Sequence, residues 1–133
     1  MNLALVIQYL YPSAVNGVDF RVEDSGNGPV LAHWDAVKLN PQPTPAELAA
    51  AELPAAKAAS IAANRAECSR RIFERYPAGR QLSASFGLYD SANVATMVDW
   101  IAANVAAENT AADAIEAAQT VAAVEAVTVA WPV

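Results

Sequence analysis

The 133-residue sequence predicts an α+β fold that is mostly α: an N-terminal helix and β-hairpin, a proline-rich connector, then alanine-rich helices and a short extended C-terminal arm. Three observations predict it. Apolar residues recur at helical spacing near the N terminus and alternate one by one over residues 20–34. The run Asn40-Pro41-Gln42-Pro43-Thr44-Pro45 places three prolines within five residues, which favours an extended, semi-rigid connector. Of 32 alanines, only 4 precede residue 46, so the composition changes where the prolines fall. The implied organisation is a helix–hairpin head over residues 1–40, a connector over 41–45 and a helical region over 46–133.

The first helix is expected over residues 2–11, where Leu3, Val6, Ile7 and Leu10 follow the i, i+3, i+4, i+7 rule until Pro12 stops it. Asn16-Gly17 reads as a turn. Phe20 and Val22, then Val30, Ala32 and Trp34, alternate with polar neighbours on either side of Asp24-Ser25-Gly26-Asn27-Gly28, the pattern of a β-hairpin. Phe20 and Trp34 are expected on one face, with the helix laid against it. A unit of about 45 residues buries little by itself and is expected to dock onto something else.

Thr44-Pro45-Ala46-Glu47 carries a helix-start signature, with Thr as N-cap, Pro at N1 and Glu at N3. Pro54 is expected to kink that helix or restart it. From Ala55 a long helix should reach about Tyr76, ended by Pro77-Ala78-Gly79. Its seam of Ala58, Ile61, Arg65, Cys68, Ile72 and Tyr76 is thin and suits packing along a partner over a long length. Arg80 to Gly87 reads as helical turns bearing Leu82 and Phe86. Asp90 or Ser91 caps a further helix to about Ala107, with Val94, Met97, Val98, Ile101 and Val105 on one face and Trp100 beside them. Asn109-Thr110 is expected to break and recap it, since Thr110 and Asp113 stand at capping-box spacing, with Ile115 and Ala118 inward. After Thr120 an Ala/Val tail ends in alternating Val127, Val129 and Trp131, a short strand or extended arm anchored by Trp131.

Charge and residue types exclude several functions. The net charge is −6, and the last 53 residues contain no Lys or Arg, which argues against a nucleic-acid partner. A lone Cys68 excludes an intrachain disulfide and a cysteine-based zinc site. The sequence has no apolar run long enough for a membrane span and no basic segment of the kind that opens a signal peptide. The single histidine, His33, is expected on a solvent face, and Cys68 is expected to be a small buried residue despite Arg65 and Arg71 nearby. Asp24–Gly28 lacks the ligand pattern of a calcium loop and is expected to be a turn. Arg65, Arg70, Arg71, Arg75 and Arg80 gather in the C-terminal part of the long helix and just beyond it. With Glu67 and Glu74 among them and an acidic segment following, structural charge pairing is expected in preference to phosphate or nucleic-acid binding. No catalytic, metal-binding or cofactor-binding residue is predicted.

The N-terminal stretch resembles the short tail-associated phage and prophage proteins of the XkdW family. The matching residues are Pro12, Asp19-Phe20, Val22, Asp24, Gly26, Gly28, Trp34, Pro41, Pro43-Thr44 and Glu47-Leu48, within about 50 of the 133 residues. The resemblance implies a small, non-enzymatic phage tail protein, built into the virion at the tail-fibre or baseplate attachment. An assembly chaperone for the tail fibre that leaves the virion is the alternative it also implies. A reading of another class is a regulatory module whose Arg65–Arg80 stretch contacts nucleic acid. The partners expected are tail-fibre or baseplate proteins, in a homo- or hetero-oligomer, assembled in the host cytoplasm. The residues expected at partner interfaces are Phe20, Trp34, Ile61, Ile72, Trp100 and Trp131.

Overall fold

A computed structural model describes all residues from Met1 to Val133. The elements follow in the order α1 (Leu3–Leu10), β1 (Phe20–Asp24), β2 (Pro29–Trp34), α2 (Ala36–Leu39), α3 (Pro45–Arg75), α4 (Ala78–Ser85), α5 (Ser91–Ala117) and α6 (Val121–Glu125). Helices hold 62% of the residues and the only sheet is the two-stranded hairpin, so the fold is α+β and mostly α. The chain forms two compact units, Met1–Ala59 with Gln119–Val121, and Ser60–Ala118 with Ala122–Val133.

In the first unit, Asn2 caps α1 by accepting the Leu5 N–H at 3.2 Å. Leu3 and Ile7 face Ala14, Phe20 and Leu39, while Val6 faces Ala51 and Ala55 of α3. Leu10, at the end of the expected apolar stripe, is exposed. Tyr11 meets the Trp34 ring edge-on at 5.0 Å. The hairpin departs from simple alternation. Phe20 pairs with Trp34 and Arg21 with His33, but Val22 pairs with Leu31, leaving Ala32 as the extra residue of a bulge. Because side chains alternate across a strand, one inserted residue turns the remainder over. Leu31, rather than Val30 or Ala32, therefore joins Trp34 against the core, and Val30 is exposed.

The hairpin turn is built by Asp24, whose carboxylate accepts the N–H groups of Gly26 at 2.8 Å and Gly28 at 3.2 Å. Both glycines have φ of +97°, a conformation that side chains with a Cβ disfavour. Asp35 caps α2 by accepting from Val37 and Lys38. Residues 40–44 form no helix or strand, and Pro43 is buried. The start of α3 is a reciprocal capping box: Thr44 Oγ1 accepts the Glu47 N–H at 3.2 Å, and Glu47 accepts the Thr44 N–H at 2.7 Å. These bonds hold the Glu47 carboxyl below its ordinary pKa. Pro54 neither stops nor restarts the helix. It lies on the exposed side, where the carbonyl that loses its hydrogen bond to the proline ring can be hydrated.

In the second unit, α3 supplies Cys68 and Tyr76 as buried residues, with Ile61 and Ile72 half-buried. Opposite them, α5 runs unbroken through Asn109-Thr110, correcting the expected break. The Thr110 hydroxyl donates back to the Ala106 carbonyl at 2.9 Å, so it is satisfied inside the helix and does not act as a cap. The buried line of α5 is Met97, Asn104, Glu108, Ala111 and Ile115. Val98 and Val105, expected inward, are exposed. The reason is polar: arginines on α3 take Asn104 and Glu108 as partners and so draw that side of α5 inward. The tail after α6 is extended, with Val127, Val129 and Trp131 half-buried and alternating with exposed Thr128 and Ala130.

Candidate interaction surfaces

Five arginines on α3 and α4 divide into paired and unpaired groups. Arg70 is held by Glu67 at 2.7 Å and by Glu74 at 2.5 Å, one helical turn to either side. Its guanidinium pKa is raised, chiefly by the hydrogen bonds to Glu67. Glu67 is correspondingly held below its usual range by Arg70. Arg65 lies 3.6 Å from the buried Glu108 carboxylate. Arg71 donates to Asn104 Oδ1 at 3.0 Å and to the Pro132 carbonyl at 2.5 Å, and its guanidinium lies 5.4 Å from the Trp131 ring centre. Asn104, which is fully buried, donates in turn to the Trp100 carbonyl at 2.9 Å.

Arg75 and Arg80 have no carboxylate partner. Arg75 sits over Trp100 at 4.6 Å, and Arg80 over Tyr76 at 5.1 Å and Tyr89 at 6.0 Å. Tyr76 and Trp100 meet edge-on at 5.7 Å. Arg70, Arg71, Glu74, Arg75 and Trp100 line an open cleft of about 210 Å³. A second surface is apolar. A groove of about 250 Å³ between α4 and α5 is lined by Ala84, Val94, Met97, Val98 and Ile101 among others. Leu82, Phe86 and Leu88 nearby in sequence are 56%, 70% and 71% exposed.

Of the residues expected at interfaces, Phe20 needs correction. It has zero exposure and is the centre of the head core, so it holds the unit together instead of presenting a surface. Trp34 is half-buried against that core and donates its indole N–H to the Asn40 carbonyl at 2.9 Å. Ile61 and Ile72 are half-buried on α3, Trp100 lies under Arg75, and Trp131 lies beside Arg71 of the same chain. Sequence reasoning missed Asn104 and Glu108 as the polar centre of the α3–α5 packing. Their spacing, seven and eleven residues from Met97 and Ile115 and four from each other, is the available signal.

Chemistry-bearing groups are sparse. Burial, and then the Glu108 charge, push the Cys68 thiol pKa up, which suppresses thiolate reactivity. His33 is exposed on β2. No three His, Cys, Asp or Glu side chains are grouped so as to hold a metal ion, and no helix is long and apolar enough to cross a membrane.

Most residues of the N-terminal motif have structural tasks. Pro12 follows α1, Asp24, Gly26 and Gly28 make the hairpin turn, Thr44 and Glu47 start α3, and Leu48 packs on the head core. Asp19 is buried, accepting from Val15 N–H at 2.8 Å and from Lys38 Nζ at 2.7 Å. The Lys38 hydrogen bond, with that from Val15, keeps its carboxyl below the ordinary pKa. Residues 3–60 match the XkdW protein family. The XkdW-like region thus coincides with the main segment of the first compact unit, Met1–Ala59. XkdW proteins are phage-associated, and the chain is similar to them over this region. No curated protein and no solved structure matches the chain.

Proposed function

We propose that the protein is a non-enzymatic structural component of a phage virion, acting as an adaptor at the tail-fibre or baseplate attachment. The observation that carries this reading is the coincidence of the XkdW match, residues 3–60, with the main segment, Met1–Ala59, of one compact unit. A family module defined by its fold, with motif residues spent on turns, caps and core, is suited to docking. The chain then continues into a second unit with its own core, offering a second surface through Trp100, Ile61, Ile72 and the arginine cleft. In this reading Trp34 belongs to the first docking unit and Trp131 braces the second. The partners are tail-fibre or baseplate proteins, and the residence is the virion.

Quantitative mass spectrometry of purified particles tests the proposal. Stoichiometric recovery of this chain with tail components supports it. Absence from particles, with recovery in a cytoplasmic complex with fibre protein, refutes it in favour of an assembly chaperone.

A further inference from the structure

We propose that the exposed side of α5 around residues 92–103 is an interface between two copies of this chain, with Arg75 of each copy against Asp99 of the other. The argument begins with unmatched charge. The chain carries 14 acidic and 8 basic side chains, and residues 81–133 have no Lys or Arg. Arg75 nevertheless has no carboxylate partner, and exposed Asp99 has no cation. Each lacks what the other offers, yet they do not meet within one chain.

Their placement explains why a second copy can join them. An α-helix turns about 100° and rises about 1.5 Å per residue. Asp99 and Trp100 therefore stand at nearly the same height on either flank of a line through Thr96 and Ala103. Arg75 lies over Trp100, 4.6 Å from its ring centre, and so marks the Trp100 flank. Ala92, Thr96, Asp99 and Ala103 are all exposed. The Thr96 hydroxyl already donates to the Ala92 carbonyl at 2.9 Å, so covering it leaves no donor unsatisfied.

A two-fold axis running parallel to α5 above this line carries the Asp99 flank of one copy onto the Arg75–Trp100 flank of the other at equal height. The operation makes the contact reciprocal, as a closed dimer requires. The incoming carboxylate enters the cleft lined by Arg70, Arg71, Glu74, Arg75 and Trp100, where Arg70 is already paired with Glu67 and Glu74 but Arg71 and Arg75 have no carboxylate partner. Arginine and tryptophan at such a desolvated centre are the residue types that dominate interface energetics.

Sedimentation equilibrium on the full chain, with Arg75→Glu and Asp99→Arg made separately, tests the proposal. The wild type should be a dimer whose dissociation constant rises with salt. Each single variant should self-associate at least tenfold more weakly, because both of its cross-pairs become repulsive. Mixed in equal amounts, the two variants should recover a dimer, since Glu–Arg and Arg–Asp contacts are then both attractive. A monomeric wild type at 100 µM, or a dimer indifferent to both reversals, overturns the proposal, as does a mixture that stays monomeric. If either reversal unfolds the chain by circular dichroism, Ala103→Glu, on the same line, is the substitute. It must weaken the dimer, and an unchanged dimer overturns the proposal.

Discussion

Replacing Asn104 with alanine probes the packing of α3 against α5 most directly. Asn104 is fully buried, accepts from the Arg71 guanidinium at 3.0 Å and donates to the Trp100 carbonyl at 2.9 Å. A hydrogen bond to a charged group contributes about 1.5–3 kcal/mol, and the lost donation leaves a helix carbonyl that keeps its main-chain options. Some of the Arg71 loss is recovered by its remaining bond to the Pro132 carbonyl. The expected cost is therefore about 2–3 kcal/mol, or roughly a 30- to 150-fold rise in the opening constant at about 1.4 kcal/mol per decade. Because the chain has two compact units, a single melting curve does not isolate the effect. Native-state hydrogen exchange does: protection should fall by that factor along residues 97–115 and along the Ser60–Arg75 part of α3, while amides around Phe20 keep theirs. Asn104→Leu should also destabilise, since it removes the acceptor while retaining volume. If the leucine variant is as stable as wild type with equally dispersed amide resonances, the polar pairing is not what fixes these helices together.

Phe20→Ala should cost about 3–5 kcal/mol and fall on the first unit alone, since the ring is fully buried in the head core; urea titration followed by head-specific amides reads it. Thr44→Ala removes the N-cap of α3 and should cost about 1 kcal/mol, seen as faster exchange of amides 45–48. Asp19 has a lowered pKa through Lys38 and Val15, so the stability it lends is present above the unfolded carboxyl pKa and is lost as pH falls through the lower folded value. Acid titration should thus loosen the head below about pH 4, and Asp19→Asn should remove that portion of the pH dependence while making the head weaker at neutral pH. Trp131→Ala should destabilise the second unit by about 1–2 kcal/mol through lost burial and the lost Arg71 stacking, measurable as exchange near Arg71 and Asn104.

The head was legible in the sequence because its signals are local. Pro12, the Asp24-x-Gly26-x-Gly28 turn and the Thr44–Glu47 box each act within a few residues, and the structure contains all of them. The bulge at Ala32 was not legible, since register depends on which residue the opposite strand presents, and alternation alone favours Val30 and Trp34 equally. In the second unit the error was systematic. Hydrophobicity places Val98 and Val105 inward, and cap chemistry favours a break at Asn109-Thr110. Both rules are local, and both yield to long-range pairs: Arg71 with Asn104, 33 residues away, and Arg65 with Glu108. Candidate interface residues suffered likewise. Phe20 is hydrophobic enough for an interface and equally for a core, and only the packed structure distinguishes them.

Those long-range pairs also bear on how the two helices are held in register. The apolar part of their buried seam is short, Cys68 and Tyr76 on α3 with Met97, Ala111 and Ile115 on α5, so polar pairs add to what apolar burial specifies. The polar pairs discriminate strongly. Sliding α5 by one turn moves Asn104 and Glu108 by about 5.4 Å relative to α3, which takes the Arg71 contact far beyond hydrogen-bond range and leaves a fully buried amide unsatisfied. Glu108, already 3.6 Å from Arg65, would be stranded as a buried charge. The acidic character of α5 and the arginine content of α3 therefore help to select the register. Arg75 and Asp99 are among the charges this register leaves without an intrachain partner.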